Sequence, residues 1–177
     1  ADIFNRGVET HPTDKIRDAA HCKLVINLTN SLTTLIGLGF REIPNRALFQ
    51  KLLAGLTLEG VQIVKAAGVK ESKLGGMPSW LLLWAGAKLP RLITSGLFER
   101  NVKKMVISSM GQDVIQRGSG ENELETINGE IVRIAKEHGV PAVLNDAIYR
   151  LCKQEFAKES FEPLTVEQVW EFVRSQS

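Results

Sequence analysis

The chain has 177 residues, 44% of them hydrophobic and 24% charged, the balance of one globular domain with an ample core. Its 22 basic and 20 acidic residues leave a formal net charge of +2, which gives no reason to expect a nucleic acid or an anionic membrane as partner. Cys22 and Cys152 form no CxxC pair, and His11, His21 and His138 have no metal-site spacing, so the expectation is free core thiols in a reducing cytoplasm and no metal.

The first residues, ADIFNRGVETHPTD, lack the basic region and apolar core of a signal peptide. Ile3 to Thr10 reads as a short extended piece, and His11-Pro12-Thr13-Asp14 as a turn and helix start, with Thr13 or Asp14 as N-cap. The first helix is predicted from about Asp14 to Leu38, closed by Gly37 and Gly39. Within it, Ala20 to Phe40 is almost wholly apolar or small, yet carries Lys23, Asn27 and Asn30. Their spacing, i, i+4 and i+7, stacks all three on one helical stripe. The plain reading is a lysine that snorkels to water and amides that bond nearby backbone. The functional reading is a placed cation with two amides behind it.

Ile43-Pro44-Asn45 is a second helix start, and Leu48, Leu52, Leu53, Leu56, Val61, Ile63 and Val64 follow with helical period to Ala67. Gly68 is the candidate C-cap, and Lys70 to Pro78 a polar connection. Trp80 to Ile107 is apolar on one face and basic towards its end; Pro90 predicts two helices or one kinked helix. Trp80-Leu81-Leu82-Leu83-Trp84 would suit a partner-binding groove, but buried core is the simpler reading. Ser108 to Val114 leads into an irregular stretch, Ile115 to Asn122. Leu124 to His138 is amphipathic, with Ile127, Ile131, Val132, Ile134 and Ala135 inward, and stops at Gly139-Val140-Pro141. Ala142 to Glu155 and Val166 to Arg174 are the last helices, the latter started by Pro163-Leu164-Thr165. Strand signals are nearly absent after residue 10, so the fold expected is all-α, with six to eight helices. Lys, Gly and Pro interrupt the apolar runs too often for a bilayer span.

Three pieces, K-L-V-I-N-L-T-N, S-S-M-G-Q-D-V and E-L-E-T-I-N-G-E, fall in order along the chain. Together they resemble the C-terminal domain of the ketopantoate reductase (2-dehydropantoate 2-reductase) family. That family has a Lys with Asn four residues on, here Lys23 and Asn27. It then has a Ser-Ser-Met-x-Gln-Asp segment, here Ser108 to Asp113. A Glu before Ile-Asn-Gly follows, here Glu123 before Ile127-Asn128-Gly129, and then a His-Gly helix end, here His138-Gly139. The resemblance spans roughly residues 7 to 157. It implies a multi-helix bundle similar to the 6-phosphogluconate dehydrogenase C-terminal-like domain. It also implies reduction of a small 2-oxo acid, as in ketopantoate to pantoate in pantothenate biosynthesis, with hydride from NADPH. By analogy Lys23 is the general acid at the ketone, Asn27 holds Lys23 and the substrate hydroxyl, Ser109 binds the substrate carboxylate, and Glu123 contacts the hydroxyl or the lysine. The physics suits the roles, because a preorganised cation stabilises charge that develops on a carbonyl oxygen. A lysine on an apolar helix is also expected to be partly desolvated. Two positions depart from the family. His21 stands where a Trp is usual, and the second family Asn falls on Ser31, with Asn30 one residue before; both Asn30 and Ser31 are substrate-binding candidates.

No G-x-G-x-x-G follows a strand anywhere. Residues 1–13 are therefore read as the end of, or linker from, a preceding Rossmann domain that would hold most of the NADPH, and residues 14–177 as the helical substrate domain. By itself this chain is expected to be inactive and not to bind NADPH. An exposed apolar face near Ile16 and the Lys23 helix is expected to favour self-association, for instance as a homodimer. The competing reading is a non-catalytic helical module that binds a protein partner.

Overall fold

A computed structural model describes residues 14–72, 78–118 and 122–176 of the chain. The expected extended piece before residue 11, and Thr13 as a cap, lie outside the described residues. These hold no strand and are all helical, as expected.

Two long helices make the frame, α1 (Ile16–Leu35) and α2 (Arg46–Ala66). Ala19, Cys22, Val25, Leu28, Leu32 and Leu35 recur every three or four residues on α1 and are buried. Asn45 caps α2, accepting from the Leu48 amide at 3.0 Å. Gly60 on α2 lies against Leu28, where a Cβ would come within 2.5 Å of Leu28 Cδ1. Arg17 donates to the Ala67 carbonyl at 3.2 Å. These two contacts run in opposite senses along the helices, so α1 and α2 are antiparallel. α1 begins two residues later than Asp14 and without a side-chain cap, since its N-cap position is Lys15.

Pro90 divides the next segment into α3 (Trp80–Lys88) and α4 (Arg91–Val102). Ser79 caps α3 through the Leu82 amide at 3.3 Å. α4 is anchored by Phe98, which meets Phe49 of α2 edge to face at 5.5 Å between centroids. A single turn, α5 (Ser109–Gly111), runs into a π-helical segment, Gln112–Gln116. A second π-helical segment, Glu125–Gly129, opens α6 (Glu130–Glu137). Ile127, Ile131, Ile134 and Ala135 face inward as predicted, whereas Val132 is only half-buried. α7 (Val143–Phe156) lacks a side-chain cap of its own; Glu59 of α2 supplies one, accepting from the amides of Leu144 at 3.1 Å and Asn145 at 2.7 Å. α8 (Val166–Ser175) starts with a Thr165–Gln168 capping box.

α2 is the central helix. Contrary to the expectation from the apolar runs, it is long and apolar enough to cross a bilayer by length and composition. It packs against α1, α3, α7 and α8, and half of its most apolar window is buried within the bundle. Both thiols are free and buried, as expected. Burial pushes the Cys152 thiol well up, the state of an inert core cysteine.

The Trp80–Trp84 run is not core. Leu81, Leu82 and Trp84 are exposed, Trp80 and Leu83 are half-buried, and α3 buries no residue fully. The reason is composition: α3 is apolar on every side, but it meets α2 along only one of them.

Candidate functional site

The polar stripe of α1 is graded in exposure. Lys23 is exposed, Asn27 and Asn30 are half-buried, and Thr34, next on the same stripe, is buried. At 1.5 Å per residue, Lys23 and Thr34 stand ~16 Å apart along the axis. Neither the Asn27 nor the Asn30 side chain has a hydrogen-bond partner among the described residues. Both amides are thus available to a ligand.

At the Thr34 end of the stripe α5 packs against α1. Thr34 Oγ1 and Ser108 Oγ lie 3.4 Å apart, and Ser108 caps its own turn by accepting from the Gly111 amide at 3.0 Å. This fixes the start of the turn against α1. The next residue, Ser109, donates its hydroxyl to Glu123 Oε2 at 2.9 Å. A serine and a carboxylate fourteen positions apart therefore meet at the mouth of the intervening loop, both still exposed.

Beside the stripe lies a buried polar contact. Ser31 is fully buried, donates to the Leu28 carbonyl at 2.8 Å, and accepts from Asn128 Nδ2 at 3.0 Å. Of the two candidates for the second amide position, Ser31 is the buried one, with its hydroxyl already engaged. Asn30 is half-buried on the stripe of Lys23 and Asn27. Asn128 sits within the second π-helical segment, and its Oδ1 is buried without a partner. Two π-helical segments flanking one loop are unusual, and such wide turns gather at functional sites.

The glutamates around this loop differ in occupation. Glu125 is held on the outside by the Tyr149 hydroxyl and by Lys153 at 2.9 Å. Hydrogen bonds from Tyr149 and then Lys153 hold its carboxyl below the usual range. Among the described residues the Glu123 carboxylate meets only Ser109, so Glu123 is the one free to turn to a ligand.

Lys23 departs from expectation in its surroundings. It is exposed and forms no ion pair among the described residues, with Glu123 or any other acid. The predicted partial burial of its ammonium is not provided by α1 and its neighbours. The reason is position: Lys23 lies in the outer half of α1, turned away from the face that Cys22 and Val25 bury against α2. His21 bonds its own helix, Nδ1 meeting the Arg17 carbonyl oxygen at 2.7 Å.

One side of α1 thus presents a cation, two free amides and a hydroxyl–carboxylate pair in sequence. Such a set offers a positive charge and several hydrogen-bonding groups to a polar ligand. Sequence reasoning missed Thr34, Ser108 and Asn128 as the parts that fix this geometry. Thr34 was detectable, since it extends the 23, 27, 30 spacing by one more turn. Asn128 lies inside the Ile-Asn-Gly segment already singled out.

No curated protein and no solved structure matches the chain. The family model for the ketopantoate reductase PanE/ApbA C-terminal domain matches residues 15–155, which takes in α1, both π-helical segments and nearly all of α7. The chain therefore belongs to the ketopantoate reductase C-terminal domain family.

Proposed function

We propose that this chain is the substrate-binding and catalytic half of an NADPH-dependent 2-oxo acid reductase that acts on ketopantoate or a close analogue. The observation that carries the reading is the Ser109–Glu123 hydrogen bond at one end of the stripe that bears Lys23, Asn27 and Asn30. The described residues do not fit the cofactor by themselves. They contain no strand–glycine loop–helix unit, and the left-handed glycines Gly37, Gly39, Gly68, Gly118 and Gly139 close helices or turns. In this reading the hydride donor is held by a further domain that faces the α1 stripe.

In this reading Lys23 Nζ polarises the keto oxygen, stabilises the negative charge that develops there and gives up a proton to it. Asn27 and Asn30 orient the substrate. Ser109 meets its carboxylate, and Glu123 accepts from its hydroxyl. The second domain would also exclude water from Lys23, which this chain leaves exposed.

The test is steady-state kinetics of the full-length enzyme with NADPH and a panel of 2-oxo acids. Lys23→Ala should lower kcat by about 10²-fold or more, the scale of a positioned proton donor. Ser109→Ala should mainly raise KM, because a carboxylate contact serves ground and transition states alike. A Lys23→Ala enzyme within a few-fold of wild type in kcat would remove α1 from the chemistry.

A further inference from the structure

The Ser109–Glu123 pair joins two segments that lie far from α1 in sequence, and each is tied to that helix at one point. Ser108, the residue before Ser109, has its Oγ 3.4 Å from Thr34 Oγ1. Glu123 stands at the root of the second π-helical segment: its carbonyl accepts from the Ile127 amide at 3.0 Å and from the Thr126 hydroxyl at 3.1 Å. Asn128, next along that segment, donates from Nδ2 to Ser31 Oγ at 3.0 Å. Ser31 and Thr34 are neighbours at i, i+3 on one face of α1, and both are buried, at 0% and 2% exposure. One turn of α1 thus holds both arms of the pair.

We propose that Thr34 and Asn128 are positioning residues: acting through Ser108 and through Ser31, they set the separation of the Ser109 hydroxyl and the Glu123 carboxylate and so aim both at the substrate. What the pair binds follows from the reductase reading, on which the proposal rests for function; the placement is independent of it. The composition of the inner tie carries the argument. Asn128 is fully buried, and its Oδ1 has no partner among the described residues, so an acceptor is taken out of water with nothing to replace it. An apolar side chain would pack there without that cost, so stability does not account for an amide. A directional bond to α1 does, because a hydrogen bond fixes one register where apolar contact tolerates several. The segment is braced from outside as well: Glu125 accepts from the Tyr149 hydroxyl and pairs with Lys153 at 2.9 Å. Gly129 leaves room for this brace, since a Cβ there would lie 3.0 Å from Glu125 Oε2.

The Ser109 arm needs its tie for a different reason. α5 is a single turn, too short to hold an orientation by its own hydrogen bonds. Its anchor is the point where Thr34 Oγ1 meets Ser108 Oγ, and Gly111 packs on the same point: a Cβ there would stand 3.5 Å from Thr34 Oγ1 and 3.4 Å from Ser108 Oγ. A shift of the turn at this contact carries Ser109 with it.

The test uses two variants of the full-length protein that keep the packing and delete the ties: Thr34→Val, which is near-isosteric, and the double change Ser31→Ala with Asn128→Leu. Crystal structures should show the Ser109 Oγ–Glu123 Oε2 contact opened beyond hydrogen-bonding distance in each, within an unchanged fold. With NADPH and a 2-oxo acid, kcat/KM should fall by about 10- to 100-fold, the scale of a small misplacement of binding groups. For Thr34→Val the loss should appear in KM, as for Ser109 itself. A merely structural role would not produce coupling: Thr34→Val should add little to Ser109→Ala, and the double change little to Glu123→Gln, because no group is left to position. Fully additive losses overturn the proposal, as does a contact that both variants leave closed. A contact that opens with no change in the turnover of any 2-oxo acid would uphold the positioning and overturn the reductase reading instead.

Discussion

The polar stripe on α1 and the pair α3 and α4 stand in opposite relation to the core. On the stripe, polar groups are placed by well-buried neighbours: Lys23, Asn27 and Asn30 ride on a helix whose other side holds Val25, Leu28 and Leu32 at zero exposure. On α3 and α4, apolar groups stand in solvent, and only Phe98 and Val102 are buried. One helix thus carries polar groups on the back of a packed core, while the other two expose apolar area with few buried residues of their own. The first arrangement gives positional precision, and the second gives area.

Substitutions should separate the two regions by the size of their effect on folding. Phe49 is fully buried and holds α4 through Phe98. Phe49→Ala should cost about 3–5 kcal/mol by chemical denaturation, as large-to-small changes in a packed core do. A cost below ~1 kcal/mol would mean that α4 is not anchored there.

Next in size is the buried polar contact. Ser31→Ala removes the one partner of the Asn128 amide and leaves the whole group unpaired, for a cost of about 1–3 kcal/mol. Replacing both residues, as Ser31→Ala with Asn128→Leu, should recover part of that loss, because an apolar pair leaves nothing unsatisfied. Failure to recover would point to a role for Asn128 in holding the π-helical turn itself.

Glu59→Ala should follow, at about 1 kcal/mol, since it uncaps α7 and leaves the Leu144 and Asn145 amides without their acceptor. Leu92→Ala belongs at the far end, within about 0.5 kcal/mol for the single chain. A larger effect would show that something already covers α4.

The smallest effect is a pH dependence outside both regions. Tyr149 and Lys153 stabilise the ionised Glu125, so its folded-state affinity for a proton is lower than in the unfolded chain. The group therefore stabilises the fold above the ordinary glutamate range, and that contribution is lost as pH falls through its depressed value. Melting curves of wild type and Glu125→Gln should differ near neutrality and converge in acid.

Much of this architecture is legible in the residues alone. Asn45, Ser79 and Thr165 start helices because their side chains satisfy amides that have no helical partner; Gly68 and Pro90 end or divide them because of what their own backbones allow or forbid. The stripe of Lys23, Asn27 and Asn30 is a consequence of helical period, and three short segments in fixed order were enough to indicate the family. These are local or ordered features, and a linear reading captures them.

Tertiary structure decided the rest. A helix as uniformly apolar as α3 carries no periodic signal of which side is covered, so the exposure of Leu81 and Trp84 depends on where α2 happens to lie. Ser31 and Asn128 are 97 residues apart, and only the packing of the second π-helical segment on α1 makes them partners and engages the Ser31 hydroxyl. Lys23 is exposed because the helices that bury α1 cover its other face. The sequence determined which groups share a stripe; burial, which sets what each group can do, is a property of neighbours brought from far along the chain.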